Sequence, residues 1–254
     1  MLVRMTALLC LLVAQLAWPA SLPDLIGKVR PGVVGVGTAY QPRQPNVKGD
    51  RIVYRGTGFV VGDGRHIVTN AHVVAVALDV DNHQTLAIFS GRGDSAIAHV
   101  AQVVRRDDAH DLALLEIRGS TLPALQLGDS SSVREGQEIA FIGFPMGMVL
   151  GLYPVTHTGI VSAITPYAQP SVDSSDLNNL KIQRARSGFD AFQLDATAYP
   201  GNSGSPVFEL NTGRVVGVIN SVMVKETRET MLSSPSGITY AVPAKYIKPL
   251  LGQQ

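Results

Sequence analysis

The chain has 254 residues, of which 45% are hydrophobic and 16% charged, and its 21 basic and 20 acidic side chains give a net charge of +1. This balance excludes the strongly basic surface typical of nucleic-acid-binding proteins and gives no reason to expect an anionic membrane partner. A single cysteine excludes an intramolecular disulfide, and 25 glycines and 15 prolines spread along the chain favour short strands joined by turns.

The beginning of the chain is typical of an export signal. Arg4 precedes an apolar run over residues 5–18, which is short for a membrane span of about 20 residues. We predict a secretory signal peptide over residues 1–20, with cleavage after Ala17 and an uncleaved anchor as the alternatives. Cleavage would remove Cys10, and an exported protein without disulfides points to a bacterial periplasmic or secreted location.

The remaining chain is predicted to be a short helix, about twelve strands and a final helix. Apolar residues at helical spacing predict a helix over Ser21–Val29, and Ala244–Leu251 follows a proline and has a helical pattern. Twelve strands at this spacing are typical of a β-sandwich or a pair of β-barrels. The β-branched runs bounded by turn residues are Val33–Thr38, Ile52–Val61, His66–Thr69, Thr85–Phe89, His99–Arg105, Leu112–Ile117, Glu138–Gly143, Thr156–Ile164, Ala191–Ala196, Pro206–Leu210, Arg214–Ser221 and Ile238–Val242.

A polar segment near the middle of the chain suggests a division into two barrels. The stretch Gly119–Ser132 is rich in turn residues, so we place an N-terminal barrel over about 21–125 and a C-terminal barrel over about 126–254. Pro166–Asp190 and Met223–Gly237 are long polar loops, and loops of this length are usually functional or mobile.

Three separated segments carry residues that suit nucleophilic catalysis. His72 follows a strand and a small-residue turn, Asp111 precedes an apolar strand, and Ser203 is flanked by glycines in Gly201-Asn202-Ser203-Gly204. A serine hydroxyl needs a base such as histidine to take its proton, and a carboxylate orients that histidine. Their joint occurrence in the order His-Asp-Ser predicts a serine hydrolase, although each motif alone is more often structural.

Two neighbouring carboxylates compete with Asp111 for the orienting role. Asp107 and Asp108 lie in the same turn, but Asp111 directly adjoins the buried strand and is therefore preferred. His110 is interpreted as a surface or packing residue. The other histidines have no metal-ligand spacing, so neither a metal nor a cofactor is expected.

The sequence resembles the protease domain of the HtrA/DegP family within the chymotrypsin-like fold, which implies two six-stranded Greek-key barrels. It also implies roles for His72 as base, Asp111 as orienter and Ser203 as nucleophile, with the oxyanion hole at Gly201 and Ser203. The matching stretches are Pro31–Val34, Gly56–Val61, Ile67–Val74, His110–Ile117, Leu127–Ser130, Gly143–Gly147, Gly159–Ala163, Gln193–Ala196 and Gly201–Pro206.

The chain departs from the resembled family at its end and in its specificity pocket. Members usually continue into peptide-binding PDZ domains, whereas this sequence ends at Gln254, soon after the predicted final helix. We therefore expect residues 21–254 to be a protease domain alone. The strand after the nucleophile, Gly217–Ser221, lacks the histidine that glutamyl endopeptidases use for acidic side chains. A small or apolar P1 side chain is therefore expected. The substrate-binding candidates are Ala198, Ile219, Asn220, Ser221 and Val222.

Two functions from different classes follow from these expectations. The first is a serine endopeptidase acting on unfolded polypeptides of the cell envelope. The second is a chaperone or peptide-binding protein on the same fold, with little or conditionally activated proteolysis, and a non-proteolytic esterase is a third possibility. The expected partners are polypeptides, with no nucleic acid, no membrane span after signal removal, and a homo-oligomer as an open possibility.

Overall fold

A computed structural model describes residues 21–40, 52–145, 151–166, 188–220 and 238–252. The predicted signal peptide and the loop Met223–Gly237 lie outside the described residues, as does the loop Pro166–Asp190 apart from its two ends. No helix among the described residues is long and apolar enough to cross a membrane.

Helix α1 (Leu22–Val29) begins where its capping residue predicts. Ser21 is extended, and its Oγ accepts a hydrogen bond from the Asp24 N–H, which satisfies a donor that the first turn leaves unpaired. The helix buries Leu25, Ile26 and Val29, one apolar stripe at helical spacing.

All twelve predicted strands are present, and they form two closed antiparallel barrels. The first barrel has the order β1-β2-β3-β6-β5-β4 and the second β10-β11-β12-β9-β8-β7. The pair of barrels is thus confirmed, and a sandwich is excluded. The strands are β1 (Val33–Tyr40), β2 (Val53–Val61), β3 (His66–Asn70), β4 (Gln84–Ser90), β5 (Ile97–Asp107), β6 (Leu112–Ile117), β7 (Glu138–Gly143), β8 (Val155–Pro166), β9 (Asp190–Asp195), β10 (Pro206–Glu209), β11 (Val215–Asn220) and β12 (Ile238–Pro243).

Short helical segments complete the fold. A single turn, α2 (Ala71–Val74), follows β3 directly. At the end of the chain, the predicted helix is divided into a 3₁₀ turn, Ala244–Tyr246, and α3 (Ile247–Leu250).

The barrels pack against each other through apolar side chains. Phe59 and Leu114 of the first barrel share one buried cluster with Val218 and Val242 of the second. Helix α1 contributes to another cluster that also includes side chains of both barrels. Because burying apolar side chains is the main favourable term in folding, this contact fixes the two barrels relative to each other.

Candidate active site

His72 lies on the one-turn helix α2 at the end of β3. The flanking side chains of Ala71 and Val73 are buried, whereas the His72 side chain is 30% exposed. Since neighbouring positions on a helix point in different directions, anchoring these flanking residues turns the imidazole out of the barrel core.

Asp111 holds the imidazole in one orientation. Its Oδ2 lies 2.6 Å from His72 Nδ1, and its Oδ1 accepts a hydrogen bond of 2.9 Å from the His72 N–H. An ionised carboxylate can only accept, so Nδ1 carries the proton and Nε2 of the neutral ring is left as an acceptor. This is the tautomer that a general base requires.

The backbone of Asp111 has an uncommon conformation that the surrounding residues secure. Its φ is +52°, in the left-handed region that few non-glycine residues adopt. Its carbonyl accepts hydrogen bonds from the Ala71 N–H and from Asn70 Nδ2, both at 3.0 Å. The same short segment that presents His72 therefore also fixes the turn that presents its carboxylate.

A residue of the second barrel completes the environment of this carboxylate. Asn220, at the end of β11, is buried, and its Nδ2 donates a hydrogen bond of 2.9 Å to Asp111 Oδ2. The histidine–aspartate pair of the first barrel is thus bonded directly to the second barrel.

Ser203 lies within the second of two consecutive tight turns. The Asn202 N–H donates to the Tyr199 carbonyl and the Ser205 N–H donates to the Asn202 carbonyl, each at 2.9 Å. The third residues of the turns, Gly201 and Gly204, have φ values of +101° and +88°. A positive φ at this position defines a type II turn and favours glycine, so the glycines around Ser203 are required by the shape of the loop.

The Ser203 loop, defined here as residues 199–205, is bonded to the first barrel through β2. The Ser203 carbonyl accepts a hydrogen bond of 2.8 Å from the Thr57 N–H, and the Gly201 carbonyl accepts one of 2.7 Å from Thr57 Oγ1. A Cβ on Gly56 would lie 2.9 Å from the Ser203 carbonyl oxygen and 2.8 Å from a methyl group of Val73. Strand β2 thus contacts both the helix of His72 and the loop of Ser203.

The other candidate residues lie at different depths. Ala198 is half-buried against the core of the second barrel, whereas the Ile219 side chain is fully buried in that core. The Asn220 side chain is bonded to Asp111, and Ser221 and Val222 lie outside the described residues.

The two competing carboxylates have other partners. Asp107 Oδ2 lies 2.5 Å from His110 Nδ1, and Asp108 accepts hydrogen bonds from the Arg106 guanidinium. Asp111 alone of the three contacts His72. No group of three or more histidine, cysteine, aspartate or glutamate side chains suited to a metal occurs in the part of the chain that the structure describes.

Several polar atoms in and near the Ser203 loop are buried. Asn202 Oδ1, Asn202 Nδ2 and Ser205 Oγ have no hydrogen-bond partner among the described residues. His157 Nε2 is also buried and has no partner in the part of the chain that the structure describes, and the His157 ring stacks on Phe141 with centroids 4.6 Å apart. Burial lowers the pKa of His157 because the charged imidazolium loses its hydration.

The sequence did not identify two important contacts of this site. Nothing in Gly56-Thr57-Gly58 predicts that Thr57 bonds the Ser203 loop, because the partners are 144 residues apart in the chain. Asn220 was expected to contact substrate, and its hydrogen bond to Asp111 of the other barrel becomes visible only when the barrels are assembled.

Comparison with known proteins identifies the family. A family profile described as "Trypsin-like peptidase domain" matches residues 56–218. The chain belongs to this family, and the matched range includes His72, Asp111 and Ser203.

Individual relatives agree with this assignment. The chain is 32% identical over 198 residues to the "Probable periplasmic serine endoprotease DegP-like" of Marinomonas sp. (strain MWYL1), covering 78% of this chain and 35% of that protein. It is also 32% identical over 231 residues to "Serine protease HTRA1A" of Danio rerio, covering 91% and 40%. The chain therefore spans well under half the length of these relatives.

Solved structures support the same fold. The structure titled "HtrA-type protease AlgW with decapeptide" is 25% identical in sequence, with a TM-score of 0.64. The match covers 89% of this chain and 65% of that one. The similarity to HtrA/DegP proteases is thus confirmed in sequence and in fold.

Proposed function

We propose that the chain is a serine endopeptidase in which His72, Asp111 and Ser203 form the catalytic triad. The observation that carries the proposal is the fixed His72–Asp111 pair, which leaves Nε2 as the acceptor. The glycine-bounded loop of Ser203, bonded to the same barrel through Thr57, supplies the nucleophile. Family membership supports the assignment.

In the first step, His72 Nε2 takes the proton of the Ser203 hydroxyl as Oγ attacks the peptide carbonyl carbon. Asp111 stabilises the imidazolium that forms. The tetrahedral intermediate collapses when His72 gives the proton to the leaving amine, so that the C–N bond breaks and an acyl-enzyme remains. In the second half of the reaction, His72 takes a proton from water as the water oxygen attacks the carbonyl carbon of the acyl-enzyme. The ester bond to Ser203 then breaks, His72 returns the proton to Ser203 Oγ, and the second product leaves as a carboxylic acid.

The developing oxyanion is proposed to be held by the N–H groups of Gly201 and Ser203. The turn that contains Gly201 uses the Asn202 N–H for its own hydrogen bond. Among the described residues, the Gly201 N–H has no hydrogen-bond partner, so it is available to a substrate. Removing one such donor costs about 2.7–4 kcal/mol of transition-state stabilisation.

The proposed substrates are unfolded polypeptides of the bacterial envelope or the extracellular space. The DegP-like relatives are named periplasmic, and the predicted signal peptide at residues 1–20 is consistent with export. The small side chain of Ala198 beside the second-barrel core supports a small or apolar P1 residue. Envelope quality control is the role proposed for this activity.

The test compares the parent protein with Ser203→Ala. We expect fluorophosphonate labelling of Ser203 in the parent, and a loss of casein hydrolysis on the order of 10⁶-fold in the variant, as for other serine proteases. Mass spectrometry of the labelled peptide and of the casein fragments identifies the modified serine and the P1 residues.

The matched control is Ser205→Ala, in the same loop. It removes a hydroxyl that has no hydrogen-bond partner within the described ranges, so labelling and hydrolysis should persist. A folded parent that neither labels nor hydrolyses casein, or equal turnover by Ser203→Ala, would contradict the proposal. A folded, unlabelled parent that binds unfolded casein would favour a chaperone instead.

A further inference from the structure

We infer that Thr57 is a positioning residue for the reaction: its N–H and its hydroxyl hold the carbonyl groups of Ser203 and Gly201, the two residues that provide the nucleophile and the proposed oxyanion donors. The inference rests on the proposed function, and it assigns to a residue of the first barrel a role in a loop of the second.

Three consecutive peptide groups around Ser203, from Gly201 to Gly204, are held by hydrogen bonds. In the group between Gly201 and Asn202, the carbonyl accepts from Thr57 Oγ1 at 2.7 Å and the N–H donates to the Tyr199 carbonyl at 2.9 Å. A peptide group is planar, so bonds at both of its ends fix the orientation of the whole plane.

The peptide group after the nucleophile is held in the same way. The Ser203 carbonyl accepts from the Thr57 N–H at 2.8 Å, and the Gly204 N–H donates to the Ile219 carbonyl at 2.9 Å. The intermediate group, which carries the Ser203 N–H, is bonded through the Asn202 carbonyl to the Ser205 N–H. Thr57 therefore bonds two of the three groups.

Thr57 is itself held in place by burial and by several hydrogen bonds. Its side chain is fully buried, and its Oγ1 accepts a hydrogen bond of 3.0 Å from the Phe144 N–H while donating to Gly201. Its carbonyl accepts a hydrogen bond of 2.7 Å from Thr69 Oγ1, three residues before His72. The hydroxyl is thus rigidly placed and connected to the strand that presents the base.

The glycines around Thr57 show how close this approach is. A Cβ on Gly204 would lie 2.0 Å from the Thr57 carbonyl oxygen, far inside contact distance. The strand and the loop can meet only because these positions lack side chains. A contact this close transmits a change at Thr57 directly to the Ser203 loop.

The oxyanion donors must be fixed before the reaction, because reorienting them during it would cost part of their stabilisation. Glycine is the residue with the greatest backbone freedom, and Gly201 bears one proposed donor. The Thr57 hydroxyl restricts that freedom by holding the Gly201 carbonyl. Its loss should therefore weaken transition-state binding more than substrate binding.

The experiment measures kcat and KM per active site, using fluorophosphonate titration and a fluorogenic peptide taken from a casein cleavage site. Thr57→Val keeps the shape and removes the hydroxyl. We expect kcat to fall about 10- to 100-fold, less than the about 10²- to 10³-fold seen when a donor itself is lost, with KM nearly unchanged. Thr57→Ser keeps the hydroxyl and should restore most of the activity.

Two further measurements separate positioning from a merely structural role. Affinity for a peptide boronic acid, which becomes a tetrahedral anion on Ser203, should fall in parallel with kcat/KM, whereas affinity for the product peptide should not. Thr69→Val removes another buried hydroxyl of the same network, one that bonds Thr57 rather than the loop. It should lower stability comparably but kcat less.

A kcat per active site in Thr57→Val within twofold of the parent would overturn the inference, even if the variant unfolds more easily. If Thr57→Val does not fold, Thr57→Ala provides the same comparison with the same criterion. A folded parent without labelling or hydrolysis would overturn the proposed function and this inference together, whereas an active parent with an unaffected variant overturns only the inference.

Discussion

The first barrel contains two similar histidine–aspartate pairs: Asp111, in the turn from β5 to β6, pairs with His72 of α2, and Asp107, the last residue of β5, pairs with His110 of that turn. The pair His72–Asp111 has a separation of 2.6 Å and side-chain exposures of 30% and 20%. The pair His110–Asp107 is almost identical in these respects, at 2.5 Å and 25% for each side chain. Distance and burial therefore do not distinguish them.

The surroundings of the two pairs differ. Asp111 also receives a hydrogen bond from Asn220 of the second barrel, and β2 connects the helix of His72 to the Ser203 loop. The His110 ring instead stacks on Tyr246, with centroids 4.0 Å apart, and contacts Phe189. The surroundings, rather than the pair itself, distinguish the proposed catalytic dyad from a packing contact.

The largest difference between the pairs should appear when each carboxylate becomes an amide. In Asp111→Asn the new amide can donate to His72 Nδ1, which moves the ring proton to Nε2 and removes the acceptor. We expect kcat to fall about 10⁴-fold, as for the corresponding change in other triads. The measurement is the hydrolysis of fluorescent casein. The control is Asp107→Asn, whose kcat should stay close to the parent value. Equal losses of kcat in both variants would contradict the assignment.

For stability, in contrast to activity, the pair His110–Asp107 should matter more than the pair His72–Asp111. His110→Ala removes a stacked ring contact worth about 0.5–1.5 kcal/mol, so the melting temperature should fall by a few degrees, at about 2–4 °C per kcal/mol. The control is His66→Ala, which breaks a more exposed pair with Asp63 and should change little, because such surface pairs contribute about 0–1 kcal/mol. Unchanged melting in His110→Ala would show that the stack is unimportant.

Most of the fold could be predicted from the sequence, but only part of the site could. Strand positions follow from local β-branched runs, and β6 and β7 begin and end at the predicted residues. Thr57 and Asn220 reach their partners across long sequence separations and between barrels, so no local pattern indicates their contacts. The left-handed conformation of Asp111 is likewise imposed by hydrogen bonds from Ala71 and Asn70 rather than by a glycine.

The smallest expected effect concerns the buried histidine His157. Burial lowers its pKa below the ordinary value of about 6.5, so the unfolded chain takes up a proton before the folded protein does. The free energy of unfolding is therefore highest above about pH 6.5, where His157 is neutral in both states. This stability is lost as the pH falls through the lowered pKa of the folded protein. The urea midpoint of the parent should therefore decrease on acidification, and less so in His157→Phe.

The control for this titration is His83→Asn, at an exposed position whose positive φ asparagine tolerates. It should retain the parent's pH dependence. Some dependence should also remain in His157→Phe, because burial lowers the pKa of His99 in the same direction. A parent and a His157→Phe variant with identical slopes would contradict the assignment of this histidine.

The bonds between Thr57 and the Ser203 loop, and between Asn220 and Asp111, all cross from one barrel to the other. Neither barrel alone contains a complete site. Some dimers are similar, because each subunit supplies only part of a shared site. Proteolytic activity would then report the docking of two folded halves rather than the folding of either. A ligand or a substitution that separated the halves enough to break these hydrogen bonds would lower the activity while leaving both barrels intact.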